Sequence, residues 1–129
     1  MTYLEVQNLT KRFESDGEEV VAVDDLSFEM EEGKVTSLLG PSGCGKTTTL
    51  RCIAGLERFD NGRIVVLGKE LSNGEKGFFL EPEKREMGLV FQSYALWPHM
   101  TVEENIKYPL KARDWEGDLD QRVAEVLEV

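Results

Sequence analysis

The stretch Ser37-Leu38-Leu39-Gly40-Pro41-Ser42-Gly43-Cys44-Gly45-Lys46-Thr47-Thr48-Thr49-Leu50 decides the fold, because an apolar run ends there in a glycine-rich turn. The residues 35–39 are largely apolar and lie between glycines, which predicts a central strand covered on both faces. From Thr47 to Ala54 the apolar positions have helical spacing, and Gly55 is a natural C-terminal stop. The sequence therefore predicts a strand, a tight loop and a helix in succession.

The loop itself, from Gly40 to Thr47, matches the phosphate-binding pattern GxxxxGK[ST]. Its glycines permit left-handed backbone angles that turn amide groups inward, and the helix N-terminus adds about half a positive charge. Lys46 would reach the β and γ phosphates of a nucleotide, the Thr47 hydroxyl would bind a bridging Mg²⁺, and Thr48 could donate a further hydrogen bond. The alternative is a glycine-rich turn beside an ordinary surface lysine, which a match of this length in this context disfavours.

The bulk composition limits the possible functions. The chain has 129 residues, 40% of them hydrophobic, and a net charge of −10, as in a globular protein that nucleic-acid phosphates would repel. No run is long and apolar enough for a membrane span, and no signal peptide is apparent, so we expect a cytoplasmic location. The cysteines, Cys44 and Cys52, lack the spacing of a metal site and fit reduced thiols.

The first half of the chain favours strands around the loop. The runs 4–9 and 20–30 alternate apolar and polar residues, which predicts a half-exposed antiparallel sheet. Asn61-Gly62 predicts a tight turn leading into the apolar run 64–67. The polar, glycine-containing segment 68–86 favours an exposed loop or a ragged hairpin.

The second half favours one strand and two helices. Residues 87–91 form another apolar run typical of a buried strand, and it ends at Gln92. Thr101-Val102-Glu103-Glu104 is a capping box, so a helix should begin there and be kinked or ended by Pro109. A last helix is expected from about Asp118.

Two long segments of the sequence resemble the ATP-binding subunits of ABC transporters. One is Gly40 to Glu57, and the other is Gly88-Leu89-Val90-Phe91-Gln92-Ser93-Tyr94-Ala95-Leu96-Trp97-Pro98-His99-Met100-Thr101-Val102-Glu103-Glu104-Asn105-Ile106. The resemblance covers essentially the whole chain. It implies an α/β fold of the P-loop NTPase type, with an antiparallel β subdomain, parallel core strands and a phosphate-loop helix in residues 1–101. Residues 102–129 would begin a helical subdomain.

The resemblance also implies the roles of individual residues. ATP would be held by a continuous set: Gly40, Pro41, Ser42, Gly43, Cys44, Gly45, Lys46, Thr47 and Thr48. Lys46 and Gln92 would take part in catalysis, with Thr47 and Gln92 facing Mg²⁺ and Gln92 in the Q-loop that links the site to the membrane subunits. Phe13 occupies the position at which the family stacks an aromatic ring on adenine. A phenylalanine buried in the core is an equally good interpretation of this residue. Tyr3 is a weaker candidate for the stacking role.

The loop from Tyr94 to Met100 is rich in apolar side chains, which is typical of a partner surface. By resemblance the partner is the cytoplasmic coupling helix of a transmembrane permease, with a second copy of the ATPase subunit completing the assembly on the inner face of the cell membrane. The alternative is that these side chains cover the domain's own helices. His99 would then be structural. The sequence of this loop is most similar to those of importer subunits for sugars, polyamines, sulfate or iron. No residue in it indicates which solute is transported.

Phosphoryl transfer also needs an acid that holds Mg²⁺ and a group that orients water. In this family they come from a strand ending in Asp-Glu, a later histidine and an LSGGQ signature, and none of these is present in the sequence. Leu71-Ser72-Asn73-Gly74-Glu75 superficially resembles the signature but precedes the Q-loop. We therefore expect the front part of a nucleotide-binding domain that alone binds nucleotide weakly at best, does not hydrolyse it, and aggregates or swaps elements through open strand edges.

Two other functions stay open at this point. The residues present would also suit a nucleotide-dependent binding module without hydrolysis. A soluble ABC-type ATPase acting on DNA or ribosomes is a further alternative, which the acidic charge and the importer-like loop oppose.

Overall fold

The computed structural model describes residues 1–128, which form two compact units, one from Met1 to Leu89 and one from Val90 onward. The first unit is a sheet with one α-helix and a short 3-10 helix at Pro82–Lys84, and the second is a helix pair preceded by a loop. Within residues 1–128, no helix combines the length and the apolar character that a membrane crossing requires.

The first unit is built on a five-stranded antiparallel sheet with the order β2-β1-β3-β4-β5. The strands are β1 (Thr2–Ser15), β2 (Glu18–Glu31), β3 (Asn61–Val66), β4 (Lys69–Asn73) and β5 (Phe78–Phe79). The first two are the alternating runs that the sequence predicts as an antiparallel pair, and this prediction is confirmed. Leu4 and Val6 share one face of β1, because alternate side chains of a strand point to the same side, and a register shift after Val6 brings Leu9 into the same buried cluster.

The core of the first unit lies between that face and the helix α1 (Lys46–Ala54). Cys52 is the residue that α1 contributes to the fully buried cluster, while Thr49 on the same helix is 2% exposed. The cluster consists of Leu4, Val6, Leu9, Val23, Cys52, Ile64 and Leu71. Packing α1 on the sheet in this way fixes where its first turn, and the loop before it, can lie.

The chain around β3 and β4 corrects one sequence-based expectation and decides between two alternatives that the sequence left open. The tight turn is at Leu67-Gly68, with φ values of 48° and 78°, and the predicted turn at Asn61-Gly62 was wrong because both residues already belong to β3. Gly62 serves the sheet instead, since a Cβ there would lie 2.5 Å from the carbonyl oxygen of Gln7. The segment 68–86 is the ragged hairpin rather than the exposed loop, with Leu71 and Ser72 buried in β4.

The apolar runs 35–39 and 87–91 differ from the strands that the sequence predicts. Neither takes part in a strand ladder with any residue that the structure describes. Several of their side chains are open to solvent, with Leu39 99% and Val90 88% exposed, whereas Leu38 and Leu89 are half-buried and Met87 packs against the core. A parallel strand exists only beside a hydrogen-bonded neighbour, and the ladders of residues 1–128 are all antiparallel. The predicted buried strands at 35–39 and 87–91 are therefore not formed.

The second unit contains α2 (Val102–Ala112) and α3 (Leu119–Leu127). The predicted helix starts are confirmed, by the complete capping box at Thr101 and by Asp118, which caps α3. Pro109 was expected to kink or end the helix, and the second alternative was wrong, because α2 continues to Ala112. Proline removes a single hydrogen bond here, and it does not disturb the capped first turn.

One lysine ties these two helices together. The Lys107 ammonium lies 2.5 Å from a carboxylate oxygen of Glu103 and 2.6 Å from one of Asp120, which joins α2 to α3. Its hydrogen bonds to Asp120 and then to Glu103 raise the pKa of Lys107 above its usual value. The same contact lowers the pKa of Asp120, so the pair stays charged over the ordinary pH range.

Candidate functional site

The phosphate loop passes directly into α1, which begins at Lys46, one residue before the predicted helical pattern from Thr47 to Ala54. Gly43 and Gly45 have φ values of 81° and 91°, in the left-handed region where a side chain is strained. Gly45 is the N-cap of the helix and has a ψ of 8°. The predicted succession of loop and helix is therefore confirmed, with left-handed turns at two of its glycines.

Close packing explains why Gly45 has no side chain. A Cβ at this position would lie 2.2 Å from the carbonyl oxygen of Ala22 in β2, which is a severe clash. At Gly43, by contrast, an added Cβ would meet open space. Gly45 thus allows the loop to pack closely against the sheet, whereas Gly43 is required only for its positive φ.

The N-terminus of α1 differs from those of the other helices. In α2 the first turn is closed by the Thr101 and Glu104 capping box, and in α3 Asp118 accepts from the amide of Gln121. Within residues 1–128, no side chain caps the first turn of α1. Because the first amides of a helix have no partner inside it, they remain available to an external acceptor, and the helix dipole favours an anionic one.

The Lys46 side chain bends back over the loop. Its ammonium donates a hydrogen bond to the carbonyl oxygen of Gly40 and lies 3.5 Å from that of Pro41. Lys46 takes part in none of the ion pairs formed by the described residues. An unneutralised cation is thus held within the glycine-rich loop, beside the open helix N-terminus.

The three threonines after Lys46 have different environments. Thr49 is buried, and its hydroxyl donates to the carbonyl oxygen of Gly45 at 2.8 Å, which fixes the cap residue from inside. Thr47 is exposed and Thr48 is half-buried, in contrast to Thr49. This places the predicted Mg²⁺ ligand, Thr47, where a ligand from solvent can reach it.

A cavity of about 420 Å³ lies between β2 and the phosphate loop. The segment from Gly43 to Lys46 and the Asp24 carboxylate supply its polar side, and residues 21–23 of β2 together with Leu38 and Leu39 supply its apolar side. A mixed lining of this kind suits a ligand with a flat apolar part next to a charged part. The sequence did not reveal this cavity, because its two sides come from segments that only the fold brings together.

Phe13 lies near the exposed end of β1, opposite Val20 in β2. Its side chain is 37% exposed and lies outside the buried cluster, so the core reading is not supported. The Lys11 ammonium lies 4.8 Å from the centre of the ring and also pairs with Glu57 at 3.3 Å. Phe13 is thus accessible to a flat ligand, while Tyr3 is packed against the core.

Gln92 and the loop from Tyr94 to Met100 belong to the second unit. Gln92 is exposed in a turn, and its catalytic and metal-binding roles stay predictions. Tyr94 and Leu96 are 77% and 71% exposed, as expected for a partner surface. His99 is exposed as well.

Part of this loop packs on its own helix, as the alternative reading expects. The rings of Trp97 and Tyr108 have their centres 4.3 Å apart. The side-chain amide of Asn105 accepts from the Trp97 amide at 3.0 Å and donates to the carbonyl oxygens of Met100 and Thr101. The loop is therefore held from behind while Tyr94 and Leu96 point outward.

Sequence analysis did not identify the buried polar residues that connect α1 to the sheet, above all Arg85. Arg85 is 5% exposed, and its guanidinium donates to groups in α1 and β4. Burial lowers its pKa from the usual value. Its partners are up to 33 positions away along the chain, so no local pattern points to them. Burial also raises the pKa of the nearby Cys52 thiol to about 11.

Comparisons with known proteins agree with this geometry. The family model described as ABC transporter matches residues 23–129. The trehalose/maltose import ATP-binding protein MalK of Thermococcus litoralis is 54% identical over 112 residues, which cover 86% of this chain and 30% of that protein. The spermidine/putrescine import ATP-binding protein PotA of Chromobacterium violaceum is 46% identical over 129 residues, covering 99% of this chain and 33% of its own length.

Solved structures with the same fold are ATP-binding cassettes. A dimeric post-hydrolysis state of the cassette MJ0796, bound to ADP and Pi, has a TM-score of 0.80 and 26% identity over 97% of this chain and 56% of that chain. Another dimeric structure of MJ0796 has a TM-score of 0.78 and 27% identity, covering 97% of this chain and 54% of that one. The predicted α/β fold of the P-loop NTPase type is thereby confirmed. The chain spans about a third of the length of the curated relatives that it matches.

Proposed function

The chain belongs to the ABC transporter family, and from that premise we propose that it binds ATP and forms the phosphate-binding part of a subunit that energises solute import. The observation that carries the proposal is the uncapped N-terminus of α1, preceded by left-handed glycines and covered by the free cation of Lys46. These features together fit an anion with several oxygens.

The residues Gly40 to Thr48 would hold the phosphates. The amides of the first helical turn would donate to phosphate oxygens, and Lys46 would exchange its bond to the carbonyl of Gly40 for the β and γ phosphates. Loop carbonyls are weaker acceptors than phosphate oxygens, so this exchange is favourable. Phe13 would stack on the adenine ring.

The exposed hydroxyl of Thr47 also fits Mg²⁺, which prefers oxygen ligands and the oxygens of nucleotide phosphates. Thr47 would supply a hydroxyl, and Gln92 would supply its amide oxygen. When bound, Mg²⁺ draws negative charge from the β and γ phosphates during phosphoryl transfer. This chain's own contribution is to position the phosphates through the loop.

We assign residues 1–101 to the β subdomain and ATP-binding core and residues 102–129 to the start of the helical subdomain. The exposed side chains of Tyr94 and Leu96 support docking of the loop from Tyr94 to Met100 on a transmembrane permease subunit. In the complete subunit we propose ATP hydrolysis with a second copy, at the cytoplasmic face of the membrane. The 129-residue chain alone is predicted not to turn over ATP.

Calorimetric titration of the chain with Mg-ATP tests the phosphate-loop assignment. We expect weak binding that falls about ten- to a hundredfold in Lys46→Ala, because a charge-assisted hydrogen bond contributes about 1.5–3 kcal/mol. Lys34→Ala is the matched control, since Lys34 is an exposed lysine outside the loop. Equal affinity in the wild type and Lys46→Ala would contradict the assignment.

A further inference from the structure

We propose that Arg85 is a positioning residue for the phosphate loop and acts through the far end of α1. Its guanidinium donates to the last carbonyls of the helix, those of Cys52 at 3.2 Å and Ile53 at 3.1 Å. It also donates to the hydroxyl of Ser72 in β4 at 2.6 Å and to the carbonyl of Leu80 at 2.7 Å. One side chain thereby joins the helix C-terminus to the sheet.

The fit around Arg85 is close. The residue is 5% exposed, and its guanidinium carbon lies 4.8 Å from the centre of the Phe79 ring. Gly55, the residue after α1, leaves room for it, because a Cβ there would lie 2.4 Å from the Arg85 Nε atom. A guanidinium whose N–H groups donate to acceptors on two elements restrains direction as well as distance.

The positive charge of Arg85 interacts with the carbonyl groups at the end of α1. None of the ion pairs among the described residues includes it. Its acceptors include the carbonyls at the negative end of the helix dipole, which take the place of a carboxylate. A cation at one end of α1 and an anion at the other would stabilise the same dipole, so both favour the same helix.

A short helix transmits a change at one end to the other. The nine residues of α1 span about 13 Å, and a tilt of about 5° at the C-terminus moves the N-terminus by about 1 Å. A displacement of that size misplaces donors relative to phosphate oxygens. Arg85 therefore sets where the amides of the first turn point, without itself touching the ligand.

The experiment compares amide hydrogen exchange and Mg-ATP affinity in the wild type, Arg85→Lys and Arg85→Met. Lysine keeps the charge and loses the fork, whereas methionine loses both. Glu75→Gln is the control, because Glu75 holds the Gly62 amide at 3.1 Å, within the sheet and away from α1. Each protein is measured at the same interval below its own thermal midpoint, and Ser72→Ala is the substitute if Arg85→Met fails to fold.

We expect protection of the amides in residues 43–54 to fall about tenfold in Arg85→Met and less in Arg85→Lys, with β1 and β3 unchanged. Ser72→Ala should show the same pattern more weakly, and Glu75→Gln should alter β3 and β4 only. Mg-ATP affinity should fall in the same order as the protection of residues 43–48. A uniform loss of protection across the unit, or unchanged phosphate-loop amides, would overturn the proposal.

The inference rests on the proposed function for its meaning, but the two can fail separately. If the wild type does not bind Mg-ATP and the exchange pattern is nevertheless confined to residues 43–54, the nucleotide proposal fails and the positioning role of Arg85 stands. If Mg-ATP binds equally to all variants, the nucleotide proposal stands and the positioning role fails.

Discussion

The two ends of α1 are built on opposite principles. At the C-terminus, Gly55 ends the helix with a φ of 83° and Arg85 binds the carbonyls of Cys52 and Ile53. At the N-terminus no side chain among residues 1–128 closes the first turn, and the nearest cation, Lys46, binds only loop carbonyls. The satisfied end holds the helix in the fold, and the unsatisfied end is kept for a ligand.

The glycines of the N-terminal end give the sharpest test of this contrast. Gly45→Ala combines a left-handed φ with a clash against the Ala22 carbonyl, and we expect a loss of about 3 kcal/mol or more in the free energy of unfolding. Gly43→Ala has a similar φ but open space, so about 1 kcal/mol is expected. Urea denaturation measures both losses. Equal losses would contradict the distinction between Gly45, which packs against the sheet, and Gly43, which only allows the chain to turn.

At the C-terminal end the buried thiol of Cys52 predicts a pH dependence. Its pKa is raised from the ordinary 9.0 to about 11, so the unfolded chain releases this proton first as the pH rises. The stability that comes from burying the protonated Cys52 thiol is fully present below about pH 9 and is lost towards pH 11. The free energy of unfolding should fall by about 2 kcal/mol over this range.

Cys52→Ala, which has no titrating group, is the control for this prediction. The wild type should lose more stability than this variant between pH 9 and pH 11, measured by urea denaturation at each pH. If the free energies of unfolding of the two proteins fall in parallel with pH, the C-terminal end of α1 is accessible to solvent, and the two ends do not differ as described.

Within the first turn, Thr49 and Thr47 separate structural from ligand-facing hydroxyls. Thr49→Val removes the buried hydrogen bond to the Gly45 carbonyl and should cost about 1 kcal/mol of stability. Thr47→Val, at an exposed position, should leave the thermal midpoint nearly unchanged and reduce the Mg²⁺ dependence of ATP binding. A loss of stability in Thr47→Val equal to that in Thr49→Val would contradict this division.

The local signals in the sequence were sufficient for the N-terminal end. The spacing of Gly40, Gly45 and Lys46 predicted where the loop lies and where α1 begins, because turns and helix starts depend on neighbouring residues. The capping box at Thr101 was found for the same reason.

The C-terminal end could not be predicted in this way. Arg85 lies in a segment whose polar composition favoured an exposed loop or a ragged hairpin, and its acceptors are contributed by α1 and β4. The hairpin turn was missed because it uses Leu67, a residue that rarely adopts a φ of 48°. Residues 35–39 have the composition of a buried strand, but burial depends on neighbouring strands, which composition does not supply.

The most direct test of the central claim is an amide-resolved NMR titration of the chain with Mg-ATP. If the N-terminal end of α1 is the phosphate site, the largest shifts will occur at the amides of residues 43–48, and those of Gly55 and Leu56 at the other end will stay nearly fixed. Shifts spread over both ends, or none at residues 43–48 under saturating Mg-ATP, would contradict the account.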